Sequence, residues 1–380
     1  MTSERTLLIS AICLLPLLGA CHPGAFASIS ISDDARLDHR HECVEIPLSR
    51  LEELSGKRNG GSPVIRDRNG CEVPYQTYRE YEGQEILVFP VDMYSGKKAV
   101  YYLAFGTPSE YETVAFSRHV PERRDDYAYE NDLVAGRIYG PSLKKPRTLG
   151  SDIWTKSVSE PVIDRRYASG TYHKDSGDGM DCYKVGNTLG GGALAPVGRE
   201  GNIVLGDNWK EAEHITDGAV RTKARFVHGP FSVDGRDVRL VREMTLDRGT
   251  HFIAWENVIE ADCDSLDVVL AAVLHDSLEF DCGPGWICFE EKASDSKNPD
   301  RDGNIFVGLV MDPGIESSGL RFIDGHAALM ARVATGERVS VWTASAWNHA
   351  GVKTHEQWRS IVSDFARAQK SPLRIKIRKL

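Results

Sequence analysis

Beyond its first twenty residues the chain has no apolar run of about 18 or more residues, so no later segment can cross a membrane as a helix. It has no block of Lys and Arg, and its formal charge is −9. Phosphate-neutralising contact with nucleic acid is therefore excluded as its business. No C-x-x-C pair occurs, which removes zinc ribbons and thioredoxin-type redox sites. G-x-S-x-G, G-x-x-x-x-G-K-[ST], H-E-x-x-H and a Gly-rich dinucleotide fingerprint are all missing. What is present is ordinary. With 380 residues, 41% hydrophobic and 27% charged, the chain can bury the core of one large domain or two smaller ones.

The N-terminus predicts export. Leu7 to Leu18 form an apolar stretch of signal-peptide length, ending in Leu18-Gly19-Ala20-Cys21. That ending is similar to a bacterial lipobox, with residues 1–20 removed and Cys21 receiving the lipid. Ala25-Phe26-Ala27 offers a rival cleavage site that would release a periplasmic protein. Apart from Cys13 and Cys21, six cysteines remain: Cys43, Cys71, Cys182, Cys263, Cys282 and Cys288. In an exported chain an even number permits disulfides. Cys282 and Cys288 flank Gly-Pro-Gly and are the first pair to expect, with free thiols equally open for the rest.

Hydrophobic patterning predicts an all-β protein. Glu42–Ile46, Glu72–Tyr75, Ile86–Phe89 and Ala99–Phe105 read as short strands, with Leu48–Leu54 as one short helix, and imply an N-terminal β-sandwich over about 38–110. Val238–Leu246, Phe252–Ile259, Leu266–Leu274, Phe306–Met311, Ala327–Val333 and Val339–Thr343 imply a larger two-sheet body over 118–380. Thr354 and Gln357 form a capping-box pattern ahead of Trp358, Ile361, Val362 and Phe365, which predicts one C-terminal helix. Arg374–Arg378 then alternates as a closing strand.

Polar density is greatest between Arg118 and Gly192. VPERRDDYAYENDLVAGRIYGP is rich in charge and tyrosine, and YHKDSGDGMDCYKVGNTLGGG places His173, Lys174, Asp175, Asp178, Asp181, Tyr183 and Lys184 in a Gly-rich stretch. Such a mixture suits a cleft. The glycines Gly190 to Gly192 suit a tight bend or a close backbone approach rather than a phosphate cradle. These two strings, together with DIWTKSVSEPVID, resemble the family described as domain of unknown function 4861, and the resemblance extends from about Asp38 to the C-terminus. It implies an exported protein encoded among polysaccharide-degradation genes. Its members often bear the label unsaturated glucuronyl hydrolase, but that enzyme would be an α-helical barrel, which this strand-rich chain is not. The fold that the resemblance implies is a galactose-mutarotase-like supersandwich, as in several polysaccharide lyases.

The leading expectation is therefore a lyase acting on a uronate-containing glycan. β-Elimination needs a cation for the carboxylate, a base for the C5 proton and an acid for the leaving oxygen. His173 and Tyr183 are the candidates for proton transfer, and Lys174, Lys184 or Arg221 for the carboxylate. Glu130, Asp132, Asp175, Asp181 and Trp154 are expected to contact substrate. The overall acidity counts against an anionic ligand unless positive groups gather locally. A glycoside hydrolase would instead pair carboxylates among Glu130, Asp132, Asp175 and Asp181. A mutarotase-like enzyme would draw on His173, His214, His275 and Glu243. A surface glycan-binding lipoprotein would offer Trp154, Trp209, Trp342 and Trp347. No cofactor is required. A divalent cation could sit among Glu130, Asp132, His173 and Asp175, while Asn298-x-Asp300-x-Asp302-Gly303 begins like a calcium loop but has Leu309 where a bidentate Glu belongs.

Overall fold

The computed structural model describes residues 24–56 and 61–380. The expected leader, Cys13 and Cys21 lie outside the described residues. Strands dominate, and every sheet is antiparallel.

The N-terminal module is a β-sandwich of two sheets. One has the order Arg374–Lys379, Ala25–Ser32, Lys98–Gly106, Ser62–Asp67, and the other His39–Pro47, Glu85–Met93, Gln76–Arg79. Ile29, Ile31, Val44, Leu87, Phe89 and Leu103 meet between them, and the helix Leu48–Ser55 adds Leu51 and Leu54 to that core. The sandwich thus draws in two strands from outside 38–110. The expected strand over Glu72–Tyr75 is displaced to Gln76–Arg79, because Pro74 has no N–H to give a ladder.

The body is a larger sandwich. Its eight-stranded sheet has the order Trp209–Thr216, Arg221–Val233, Arg236–Asp247, Phe252–Ala261, Arg338–Trp347, Asn304–Met311, Trp286–Lys292, Ser277–Gly283. Facing it are two four-stranded sheets. The first runs Ser151–Trp154, Ala135–Ile138, Asp126–Glu130, Phe116–Val120, and the second Ala193–Pro196, Ser265–Val273, His326–Ala334, Arg321–Ile323. Alternation sends Leu240, Met244 and Leu246 inward to meet Tyr129, Val268 and Leu270 in one continuous core. The expected all-β supersandwich is what the chain forms.

The helix His355–Gln369 lies on the outer face of the eight-stranded sheet. Thr354 caps it by accepting from the Gln357 N–H, and Gln357 reaches back to the Lys353 N–H. Trp358 and Val362 are buried against Phe306 and Ala344. A Cβ on Gly308 would come within 2.8 Å of Val362, so that strand approaches the helix as only glycine permits. The modules dock through Gln76, whose amide donates to Thr216 and to the carbonyls of Asp217 and Arg221, while its oxygen accepts from the N–H groups of Val220 and Arg221.

The six described cysteines are free thiols, which corrects the expected Cys282–Cys288 bridge. Cys282 pairs in register with Ile287, an inward residue, whereas Cys288 belongs to the core under the C-terminal helix. With a period of two, the two sulfurs leave opposite faces of one hairpin.

Candidate functional site

The site grows from the period of three neighbouring strands. In Asp126–Glu130, Ala135–Ile138 and Ser151–Trp154, Tyr127, Tyr129 and Ile138 point into the main core. The same alternation then puts Asp126, Glu130, Arg137, Asp152 and Trp154 on the other face, where segment 155–184 covers them. Arg137 stands directly opposite Asp152 in the ladder. Its Nε donates to Asp152 at 2.9 Å, its Nη2 donates to Asp181 at 2.9 Å, and Asp126 lies 3.5 Å from Nη1. Arg123 adds a second contact to Asp126 at 3.1 Å.

Three buried carboxylates around one buried guanidinium set the electrostatics. Burial pushes Asp181 up to about 6 against the pull of Arg137. Burial, together with the nearby Asp181, also drives Asp152 well above the usual carboxylate range. Asp152 Oδ1 is buried with no hydrogen-bond partner among the described residues. Burial alone would lower Arg137, but Asp152 and Asp181 outweigh it and hold the guanidinium charged.

Trp154 organises the aromatic side of this network. Its indole is buried, with Arg137 5.2 Å and Arg166 5.7 Å from its ring and Tyr172 stacked at 5.2 Å. The Tyr172 hydroxyl lies 3.5 Å from Arg137 Nη1. His173, next in sequence, is about half exposed, and its Nδ1 contacts the Asp181 carbonyl at 3.1 Å and carboxylate at 3.5 Å. Nε2 is thereby left for solvent or ligand.

Beside Tyr172 opens a pocket of about 640 Å³, lined by Arg165, Arg166, Lys174, Tyr172, Glu160 and Asp178 among others. Arg166 is only 4% exposed, and burial pulls its pKa down. Its Nη2 donates to the carbonyls of Thr155 and Asp178 and lies 3.4 Å from the Asp178 carboxylate, while Nε and Nη1, themselves buried, have no partner among the described residues. A buried guanidinium with two idle donors is costly unless something accepts from it. Lys174 is exposed at the same pocket with no ion pair among the described residues.

A sequence pattern for the family described as "Domain of unknown function (DUF4861)" matches residues 31–375. The chain belongs to that family. A relative from Formosa agariphila named "Uncharacterized protein P7" is 26% identical over 376 residues, covering 92% of this chain and 93% of its own. Among solved structures, an alpha-mannosidase from Enterococcus faecalis V583 is similar at a TM-score of 0.51 and 8% identity. The likeness covers 94% of this chain and 46% of that one, so the chain spans about half the length of the mannosidase. What they share is fold, across both sandwiches.

In this DUF4861 chain, Lys174 is the member of the expected set that lines the pocket, and the others are near it or elsewhere. His173, Lys174, Asp175 and Asp181 share one loop, and Trp154 lies beneath it. Tyr183 does not join them: its hydroxyl is spent on the carbonyls of Gly190 and Val273, and complete burial drives its pKa far up. Gly190, at φ +53°, passes so near Ser151 that a Cβ would meet its carbonyl at 2.2 Å, which makes the glycine run a close crossing of chains. Arg221 lies elsewhere, between the modules, held by Asp247, Glu45 and Tyr78. Lys184 is exposed, with its backbone tied to Ser294 and His275.

The expected carboxylate pair and metal set are not assembled either. Glu130 is buried against Lys156 at 2.9 Å and accepts from the N–H groups of Val162 and Ile163, capping the helix Ile163–Ser169. Asp132 accepts from the Gly249 N–H, and Asp175 from those of Gly177 and Gly179. Asn298 to Asp302 forms a helical turn in which Asp300 pairs with Lys292 and Asp302 with Arg301 and Ser296. His214 contacts Tyr127, His275 pairs with Glu291, and Glu243 pairs with Lys223, so the mutarotase candidates are scattered. Trp154, Trp209 and Trp347 are core residues, and Trp342 alone of the four lines an open groove. Sequence reasoning missed Arg123, Arg137, Arg166 and Tyr172. For Arg137 the available signal was a lone charge inside a short apolar strand, Ala135–Ile138; Arg123, Arg166 and Tyr172 carried none.

Proposed function

We propose that this protein is an exported, carbohydrate-active lyase that binds a uronate-bearing glycan at the Arg166–Lys174 pocket and cleaves it by β-elimination. The observation that carries the reading is a local pair of cations at the pocket: exposed Lys174, with no ion pair among the described residues, and behind it the buried Arg166 guanidinium, whose one ion pair is the 3.4 Å contact with Asp178. This is the local positive charge that an acidic protein needs to hold an anion. A carboxylate accepting from Lys174, with the Arg166 charge behind it, would be neutralised, and the sugar's C5 proton would become easier to remove.

Tyr172 and His173 stand beside that position. Tyr172 Oη lies against the Arg137 cation; acting as the phenolate, Tyr172 would take the C5 proton and become the neutral phenol. His173, oriented by Asp181, would deliver a proton through Nε2 to the leaving O4 as the C4–O bond breaks and the C4–C5 double bond forms. Trp154 is a platform for these groups rather than for the sugar.

Anchoring by Cys21 fits the N-terminal strand. A cut before Cys21 keeps the whole of Ala25–Ser32, whereas a cut after Ala27 would remove Phe26, stacked on Phe105, and Ala27, which is fully buried.

Incubation with uronate-containing oligosaccharides should raise enol-ether absorbance, with turnover lowered roughly 100-fold or more in Tyr172→Phe or His173→Gln. New reducing ends without absorbance would show hydrolysis instead.

A further inference from the structure

A second cluster lies away from this pocket, at the edge of the eight-stranded sheet. The hairpin of Ser277–Gly283 and Trp286–Lys292 sets Glu279 directly opposite Glu290. Like charges facing each other across a ladder repel. Neither has an ion-pair partner among the described residues; Glu290 accepts only from Asn304 Nδ2 at 2.5 Å. Against them rests His355, the first residue of the C-terminal helix, 6% exposed. One of its ring nitrogens and one oxygen from each carboxylate lie within 4.8 Å of one another.

The imidazole's two nitrogens have different fates. Nε2 lies 3.0 Å from Asp281 Oδ2, an acceptor that fixes the N–H on that side. Nδ1 is buried and has no partner among the described residues. In this tautomer Nδ1 presents a buried lone pair, and the ring stands in a cluster with two carboxylates that have no ion pair among the described residues, an arrangement that wants a cation. A carboxylate behind a histidine, holding its tautomer, is the recurring support of a metal-bound imidazole.

We infer that Glu279, Glu290 and His355 form a zinc site, with Asp281 positioning the imidazole. One nitrogen and two carboxylate oxygens suit Zn²⁺, leaving a fourth position for water. Ligands about 2.0–2.2 Å from the ion require only a modest contraction of the observed cluster. The ion would neutralise the opposed glutamates and tie the start of the C-terminal helix to the edge hairpin. It lies apart from Tyr172 and His173, so this inference does not depend on the lyase reading.

The test is calorimetric titration of the chelator-stripped full chain with Zn²⁺, Mn²⁺ and Ca²⁺, with thermal midpoints read in parallel. One equivalent of Zn²⁺ should bind and raise the midpoint by several degrees. Glu279→Gln, at an exposed position that leaves the fold intact, should weaken binding at least tenfold, and His355→Gln should abolish it. Absence of stoichiometric Zn²⁺ binding, a preference for Ca²⁺, or unchanged affinity in Glu279→Gln would each overturn the assignment.

Discussion

Arg166 and Arg221 are both buried guanidiniums in an acidic protein, yet their surroundings are opposite. Arg221 is saturated: Asp247 takes it in a bidentate grip, Glu45 reaches it from the N-terminal sandwich, and Tyr78 accepts the remaining contact. It lines a groove bordered by Glu42, Glu45, Glu80, Asp247 and Glu256 against only Arg221, Lys223 and Arg338. Arg166 is undersatisfied, lies over Trp154, and borders a pocket where Arg165 and Lys174 add charge of the same sign against Glu160 and Asp178, the latter paired with both arginines. A guanidinium whose donors are all used holds two modules together. One with donors to spare, in a pocket, is prepared for an anion. Under the proposed lyase reading, that difference favours the Arg166 pocket over Arg221 for a uronate.

Substitutions should separate holding from binding. Arg137→Met should have the largest effect, lowering unfolding free energy by about 3–5 kcal/mol because three buried carboxylates lose their shared partner. Arg221→Met should also destabilise, by loosening the sandwich interface, while glycan affinity of the surviving folded fraction stays unchanged. Denaturant titration and ligand binding on the same samples would check both. If Arg221→Met abolished binding at unchanged stability, the comparison would be inverted.

A smaller effect concerns pH. Asp181 rises from an ordinary 3.8 to about 6 on folding, so the folded state holds a proton that the unfolded chain releases. Its contribution to stability is complete below about pH 4 and is lost as the pH rises through about 6. Asp181→Asn should flatten that segment of the stability–pH curve. In the proposed mechanism ionised Asp181 is the form that orients His173, so turnover should fall as pH drops below about 6, the reverse of the stability trend. A rate profile flat across pH 5–7 would remove Asp181 from the mechanism.

Much of the architecture was legible in the residues. Apolar alternation located Val238–Leu246 and Phe252–Ile259, and the Thr354/Gln357 pattern located the C-terminal helix, because each is decided by local spacing. Ala25–Ser32 was hidden because its apolar start also reads as a processing site; only its pairing with Lys98–Gly106 and Arg374–Lys379 shows it to be core. At the site, the loop carrying His173 and Lys174 stood out by composition, but Tyr183 was preferred to Tyr172. The two tyrosines lie eleven positions apart in one loop, and only the fold shows that one meets Arg137 while the other is buried against Gly190 and Val273. Arg166 sits in a short helix whose sequence resembles any charged surface turn. Its burial comes from Trp154, which belongs to a strand.

The most direct test of the central claim is calorimetric binding of a uronate oligosaccharide and of its carboxyl-reduced, neutral counterpart to wild type and Lys174→Ala. Loss of a charge-assisted contact predicts binding weaker by roughly 10- to 100-fold on carboxyl reduction. Lys174→Ala should show a comparable loss with the acidic ligand and little with the neutral one, at an unchanged thermal midpoint. Equal affinity for the two ligands, or a Lys174→Ala variant that still discriminates between them as wild type does, would contradict the assignment of this pocket to the carboxylate.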